Sequence, residues 1–358
     1  IDYTDSTEGA LLLENSSTNL ITQSEDFSDA AWSKGGSSVV GGFSAPNGTN
    51  NAYKLVENTS TSTHYLQEFI SQADGSTNTM SLFAKKAERN HITIYCGGSF
   101  TDSYTFNLNN GTSVNNGNST SKIELISNGW YKCSVTSINK SRDVYIMSNN
   151  GDVGTSGVAY QGDGTSGIYI WGAMLESNSV ASSYIPTNGS TVQRAAETCN
   201  ESGNSEVFND SQGVVFADIA ANADDSSNKM YSLSDGTNSN RFYISLNSNN
   251  IDVNLRLGGS TQFGFNHSVN DIKSFHKISF KYKQSDFSLF VDGFKVAISS
   301  TGNIFPNGTL NSLSFDRADG VDDFYGKTKE IAYYDEILTD EELEYMTSYR
   351  SLNEMVTE

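Results

Sequence analysis

The sequence predicts an all-β protein: two β-sandwich, jelly-roll domains in tandem, with one short C-terminal helix. Three observations carry this prediction. Apolar and polar residues alternate in short runs such as Ile92-Thr93-Ile94-Tyr95, and period two is what a strand with one buried face requires. Asn, Asp, Gly and Ser punctuate the runs, with Asn109-Asn110-Gly111 and Asp292-Gly293 the sharpest reversal signals, because these residues tolerate positive φ. A hydrophobic content of only 36% goes with 11% aromatic residues. That composition suits thin cores filled by alternating large side chains, and the regular spacing of the aromatics argues against disorder.

The length of 358 residues suits two domains of ordinary size. Residues 1–10 read as a lead segment, 11–192 as the first domain, 193–212 as a linker and 213–358 as the second domain. In the first domain, strands are predicted at 80–85, 92–95, 104–108, 123–126, 130–138, 144–147 and 168–174, with no useful helical period between them. The linker is the patternless text around Glu201-Ser202-Gly203-Asn204. The second domain opens with Gly213-Val214-Val215-Phe216-Ala217-Asp218-Ile219 and continues with strands at 241–246, 251–257 and 276–283. Its clearest hairpin runs from Ser288-Leu289-Phe290-Val291 through Asp292-Gly293 into Phe294-Lys295-Val296-Ala297-Ile298, since Asp-Gly supplies the type I′ turn. The helix is predicted over 340–349. There Thr339 and Glu342 form a capping box, Asp340 and Glu341 favour the positive end, and Leu343, Met346 and Tyr349 line one face.

The formal net charge is −20. Such a field repels polyanions, so nucleic acid and anionic lipid are poor partners, whereas surplus carboxylates are the ligands calcium prefers. No apolar run approaches the ~18 residues of a membrane span, so no membrane insertion is expected. No signal peptide is evident, and Ile1 is not a natural start, so the chain is expected to be a fragment of a longer protein. Three cysteines cannot form a full disulfide set: Cys96 and Cys133 lie in strand-like runs and read as buried thiols, and Cys199 as a free one in the linker.

Some stretches carry a resemblance. Thr18-Asn19-Leu20-Ile21-Thr22-Gln23-Ser24-Glu25-Asp26-Phe27 with Ala31-Trp32 resembles the opening of a module common in phage tail and virion proteins. Asn128-Gly129-Trp130-Tyr131-Lys132 is similar to that module's "GWYR" strand. Its ending resembles Gly167-Ile168-Tyr169-Ile170-Trp171-Gly172-Ala173-Met174-Leu175-Glu176 followed by Ser183-Tyr184-Ile185-Pro186-Thr187. The resemblance implies a jelly roll akin to carbohydrate-binding modules. Related jelly rolls often hold a structural calcium between the opening segment and the last strand. The matching oxygen donors here are Asn19, Glu25 and Glu176, which would fasten the two chain ends. The second domain is similar to laminin-G and concanavalin A-like lectin domains through Leu289-Phe290-Val291-Asp292-Gly293-Phe294, Lys329-Glu330-Ile331-Ala332-Tyr333-Tyr334 and Leu338-Thr339-Asp340-Glu341-Glu342-Leu343. That match speaks for fold far more than for ligand.

The sequence carries none of the common catalytic signatures of sugar-processing and hydrolytic enzymes. His64, His91, His267 and His276 show no metal-ligand spacing, and there is no G-x-S-x-G elbow. The E-x-D-x-x-E strand of lectin-like glycosidases is absent from the second domain, as are the Q-[IV]-H and Y-x-K-x-G patterns of alginate lyases. His276 reads as a packed or solvated imidazole, and the acids of Asp319-Gly320-Val321-Asp322-Asp323 and Asp224-Asp225 as solvated loops. Sugar recognition needs aromatic faces and planar polar groups. Trp32, Trp130 and Trp171 lie inside the family motifs and are expected in the core. That leaves Tyr65, Tyr104, Tyr145 and Tyr160 as candidates for a concave face of the first domain. In the second, Arg241 and Tyr243 are the candidates, with Arg256 and Phe263 beside them.

The chain is therefore expected to be a non-catalytic phage virion surface protein, from a tail fibre, head fibre or capsid decoration. It would bind host-surface or environmental glycans and sit, oligomeric, among other virion proteins on the particle exterior. The alternatives are a purely structural virion protein or the accessory region of a polysaccharide depolymerase.

Overall fold

The computed structural model describes residues 1–3, 9–70, 77–96, 103–115, 120–138, 143–151 and 159–349. Residues 4–8 of the expected lead segment and 350–358 of the expected second domain lie outside that set. Nearly all the regular structure is antiparallel strand; among the described residues the one α-helix is Asp340–Thr347. The chain forms two units: Ser16–Ala195, and a second built from Ile1–Asn15 together with Ala196–Glu358.

The first unit has two six-stranded sheets. One runs in the order Thr112–Asn115, Ser103–Asn107, His91–Cys96, Asp143–Asn149, His64–Phe69, Ser33–Gly35. The other runs Thr120–Ser127, Trp130–Ile138, Thr77–Lys86, Gly167–Glu176, Ala52–Glu57, Ser37–Phe43. Leu66, Ile92, Ile94, Val144 and Ile146 of the first meet Leu55, Met80, Leu82, Ile168 and Leu175 of the second in one core. Alternation thus does what it predicts, sending every second side chain inward. All three tryptophans are buried, Trp32 in that core and Trp130 with Trp171 in a smaller cluster beside it. Cys96 and Cys133 are buried in the core, and neither they nor Cys199 of the second unit forms a disulfide.

The second unit packs a six-stranded sheet on a five-stranded one. The former is ordered Leu11–Leu13, Gly326–Tyr334, Gln212–Ala221, His276–Lys283, Asp286–Val291, Phe294–Ser299. The latter is ordered Ser260–Ser268, Asn250–Leu257, Arg241–Asn247, Lys229–Ser234, Ser312–Ser314. Aromatic rings dominate the space between, with Phe242 stacked on Phe280 at 4.7 Å and nearly parallel. In the expected hairpin, Val291 pairs with Phe294 while Asp292 and Gly293 adopt φ of 49° and 85°. The helix starts with the full Thr339–Glu342 capping box and packs Leu343 against Val214 and Phe290. It ends two residues before the expected limit: Ser348 is extended, and Tyr349 follows it, its hydroxyl donating to the Phe275 carbonyl.

Two expected boundaries need correction. Leu11–Leu13, assigned to the first domain, pairs with Gly326–Thr328 of the second unit, where Leu13 joins the core. A three-residue strand carries too little alternation to declare its partner. The expected linker at 193–212 is also not free text. Val192–Arg194 pairs with Ser17–Asn19, Phe208 enters the second unit's core, and the buried carboxylate of Asp210 accepts from the Gly308 and Leu310 amides. Single anchoring side chains hold this segment, and they leave no period to read.

Candidate functional site

The first unit offers its site on the outer face of the sheet containing His64–Phe69. Leu66 points into the core, so by strand parity Tyr65, Gln67 and Phe69 point out. Cross-strand register then assembles a row: Gln67 faces Tyr145, Tyr145 faces Tyr95, Phe69 faces Asp143 and Tyr65 faces Met147. The Tyr145 ring lies 5.4 Å from the rings of both Tyr65 and Tyr95, tilted by about 60° to each. Gly35 sets the posture of Tyr65. A Cβ on Gly35 would run into the Tyr65 ring, so the bare backbone of the neighbouring strand lets the ring lie flat across it. Phe69 is 67% exposed, and the Oδ1 of Asp143 is buried without a hydrogen-bond partner. Burial, and after it the charge of Asp143, raises the Tyr145 pKa, which keeps the hydroxyl protonated and able to donate. Flat and upright aromatic rings beside a carboxylate and an amide suit stacking on sugar C–H groups with hydrogen bonds to hydroxyls.

Of the four tyrosines proposed from sequence, the structure brings Tyr65 and Tyr145 together on this face and turns two inward. Tyr104 is a core residue, sharing the inward parity of Phe106. Tyr160 is buried with its ring 4.5 Å from that of His64 and its hydroxyl donating to Glu57 Oε2 at 2.7 Å. Glu57 also takes a bidentate pair from Arg89, at 2.5 and 2.8 Å. Burial would lift the Glu57 pKa, but Arg89, Tyr160 and the Asp163 amide together hold it below its ordinary value. This ion pair is part of the framework. Gln67, Phe69, Tyr95 and Asp143 were missed; they enter only through register with Tyr65 and Tyr145.

The calcium set does not fit the structure. Asn19 is fully buried, and both of its amide ends are committed: Nδ2 donates to the Ala173 and Ile185 carbonyls, and Oδ1 accepts from the Ile21 and Leu175 amides. Glu176, also fully buried, accepts from Ser17 Oγ at 2.6 Å, from Ser182 Oγ at 2.7 Å and from the Ser182 amide at 2.8 Å. Glu25 belongs to a different cluster, accepting from Asn51 Nδ2 and the Tyr184 hydroxyl. The donors that would surround a cation are already pointed at these oxygens. The same residues do join the opening segment to the last strand, by hydrogen bonds. Nor do the loop acids converge: Asp319 and Asp322 pair with Arg317, and Asp225 pairs with Lys229. Among the described residues no three His, Cys, Asp or Glu side chains form a group that could hold a metal ion. His276 is packed, its Nδ1 donating to Asp292 at 2.7 Å.

In the second unit, Arg241 and Tyr243 share the outer face of the five-stranded sheet with Arg256, which faces Arg241, and Asn254, which faces Tyr243. The Arg241 guanidinium lies over the Tyr243 ring at 4.6 Å. Phe263 does not belong to this face. It is in the core, against Phe280 and Phe287, because it lies directly opposite the inward-facing Leu255.

No family model and no curated protein matches the chain. Among solved structures, it is similar to the CBM40 module of the Ruminococcus gnavus IT-sialidase bound to alpha2,3 sialyllactose, at 16% identity over 42% of this chain and 97% of that one, with a TM-score of 0.36. It is also similar to domains LG4-5 of the mouse laminin alpha1 chain, at 12% identity over 77% and 86% with a TM-score of 0.28. Sheep galectin-11 in complex with glycerol matches at 11% identity over 39% and 99%, TM-score 0.26. These values lie below the range in which shared fold speaks to ligand, and nothing about a ligand follows from them.

Proposed function

We propose that the chain is a non-catalytic glycan-binding protein of a phage particle surface, acting by reversible adhesion to host or environmental polysaccharide. The observation that carries the glycan part is the Tyr65 ring laid flat over Gly35 and walled by Tyr145, with the exposed Phe69 on the same strand face. The opening and closing motifs of the first unit support the phage setting through their resemblance to virion modules. Contacts of this kind are individually weak, and many copies on one particle multiply them. The non-catalytic reading is supported by the disposition of acids. Sugar hydrolysis ordinarily uses two carboxylates facing one bond, whereas Asp143 is on the outer face and Glu68, beside it in the sheet, is turned inward to Thr22.

The test is a glycan array probed with the whole chain, followed by titration of the best ligand. Removing a stacking ring is worth ~1–2 kcal/mol of area and ring contact, so Tyr65→Ala is expected to weaken binding by about 5- to 30-fold. Gly35→Val, which lifts the ring without removing it, is expected to do nearly the same. Silence on the array, or variants that bind as well as the parent, would sink the glycan reading. Release of reducing ends from the polysaccharide would sink the non-catalytic one. A structural role is favoured by a separate observation, the 72% exposure of both Phe294 and Ile298 on an edge strand. It predicts that these residues, and not Tyr65, are required for assembly.

A further inference from the structure

The outer face of the five-stranded sheet in the second unit carries an imbalance that the protein does not correct internally. Acidic residues outnumber basic ones 42 to 22 along the chain. Yet Arg241 and Arg256, directly opposite each other on neighbouring strands, have no carboxylate within ion-pair distance among the described residues. The nearby acids Asp319 and Asp322 are taken by Arg317. Each of the two guanidiniums reaches one backbone carbonyl, Arg241 Nη1 that of Arg317 at 2.5 Å and Arg256 Nη2 that of Gly259 at 2.7 Å. The Nε–H of both is buried with no acceptor. Like charges facing each other across a sheet repel, and an unpaired buried donor is unfavourable.

The unpaired atoms concentrate here. Besides the two Nε atoms, Asn254 Oδ1 and the hydroxyls of Ser232 and Ser245 on the same face lack partners. Arg241 is only 4% exposed, and Ser232 and Ser245 are fully buried. Buried polar groups in folded proteins are ordinarily satisfied, so a cluster of unpartnered donors and acceptors on one sheet face points to a missing partner. The chemistry of that partner can be read off the donors. Two guanidinium forks ask for a planar anion, and a free amide oxygen asks for a hydroxyl. The strand next to Asn254 contributes Gly264, exposed and bare, where a Cβ would approach Asn254 Nδ2 to 2.8 Å. Of the acids near the pair, Asp252 accepts from the Tyr243 hydroxyl at 3.2 Å, and Asp319 and Asp322 are neutralised by Arg317.

We infer that this face binds a carboxylate-bearing sugar, with the carboxylate received by Arg241 and Arg256 and a ring hydroxyl by Asn254. The site is separate from the tyrosine face of the first unit and stands independently of it.

The probe is an oligogalacturonate and its carboxyl-reduced, neutral counterpart, titrated calorimetrically into the whole chain. The acidic oligosaccharide is expected to bind at least tenfold more tightly than the neutral one. Arg256→Gln, on the more exposed of the two guanidiniums, is expected to remove that difference, while Tyr65→Ala leaves it in place. Arg241→Lys keeps the charge but not the fork and is expected to lose most of the affinity. Circular dichroism establishes that each variant is folded, and should Arg241→Lys not fold, Arg256→Gln and Asn254→Ala carry the test. Equal affinity for the two oligosaccharides, no binding of either, or preference for the acidic one that survives Arg256→Gln overturns the inference.

Discussion

Replacing Asn19 with leucine tests whether hydrogen bonds alone join the two ends of the first unit. Leucine shares the branched shape but is apolar and bulkier, so at this fully buried position it removes every polar partner, and any overpacking adds to the loss. Four backbone groups lose their mates: the amides of Ile21 and Leu175, at 3.1 and 3.2 Å from Oδ1, and the carbonyls of Ala173 and Ile185, at 3.2 and 2.8 Å from Nδ2. The Leu175 amide cannot turn to the neighbouring strand, because the carbonyl of the same residue already accepts from Leu20 on this side. Leaving a buried amide unsatisfied is unfavourable by ~1–3 kcal/mol, so the two amides alone predict a loss of about 2–6 kcal/mol. With a urea m-value of about 2 kcal/mol/M for a unit of this size, the midpoint should fall by roughly 1–3 M.

The sequence supplies the assay. All three tryptophans, Trp32, Trp130 and Trp171, lie in the first unit, so tryptophan emission follows its unfolding without interference from the second. The expected result is that midpoint shift, with parent and variant alike indifferent to millimolar calcium or to a chelator. A fall of less than about 1 kcal/mol would refute the hydrogen-bond account. A parent midpoint that climbs with calcium would restore the cation, since a ligand of the native state stabilises by mass action.

Two further perturbations probe buried charge. Burial pulls the His276 pKa down, but the hydrogen bond and charge of Asp292 and the Asp271 carbonyl more than offset it and hold it above the ordinary 6.5. Its stabilisation of the second unit is therefore complete below that value and lost as pH rises through the raised one; unfolding followed by near-ultraviolet circular dichroism from pH 5 to 9 should show this decline in the parent and not in His276→Gln, and parallel curves would sink it. Arg89→Ala leaves the buried Glu57 carboxylate with only the Tyr160 hydroxyl and the Asp163 amide, and about 3–5 kcal/mol should be lost from the tryptophan-detected transition; a loss under about 1 kcal/mol contradicts the pairing.

Much of the fold is legible in local sequence because its determinants are local. Trp130–Ile138 and His276–Lys283 are strands over the lengths their alternation predicts, Asp292-Gly293 turns where positive φ is cheapest, and Thr339 with Glu342 starts the helix. The same logic, applied strictly, places Tyr104 correctly. In Tyr104-Thr105-Phe106 the first and third residues must share a face, and a buried Phe106 commits Tyr104 to the core.

The proposed binding faces resist that reading because they are built where hydrophobic parity is inverted. In His64–Phe69 the inward residues include His64 and Glu68 as well as Leu66, while Tyr65 and Phe69 are turned out. Hydrophobicity alone would assign the strand the other way round. The inversion is tolerated because most of the inward polar atoms find partners: His64 bonds the Gly36 and Tyr160 carbonyls, and Glu68 Oε1 accepts from the Thr22 amide and hydroxyl. None of those partners is predictable from spacing along the chain. Arg241 presents the same difficulty, as a long cation held against a sheet and opposite another, in a protein whose charge is otherwise strongly negative. Where local pattern and folded structure disagree, something other than stability has shaped the residues. Here both disagreements fall on outer sheet faces, one aromatic and one cationic, and each leaves polar atoms without partners inside the chain.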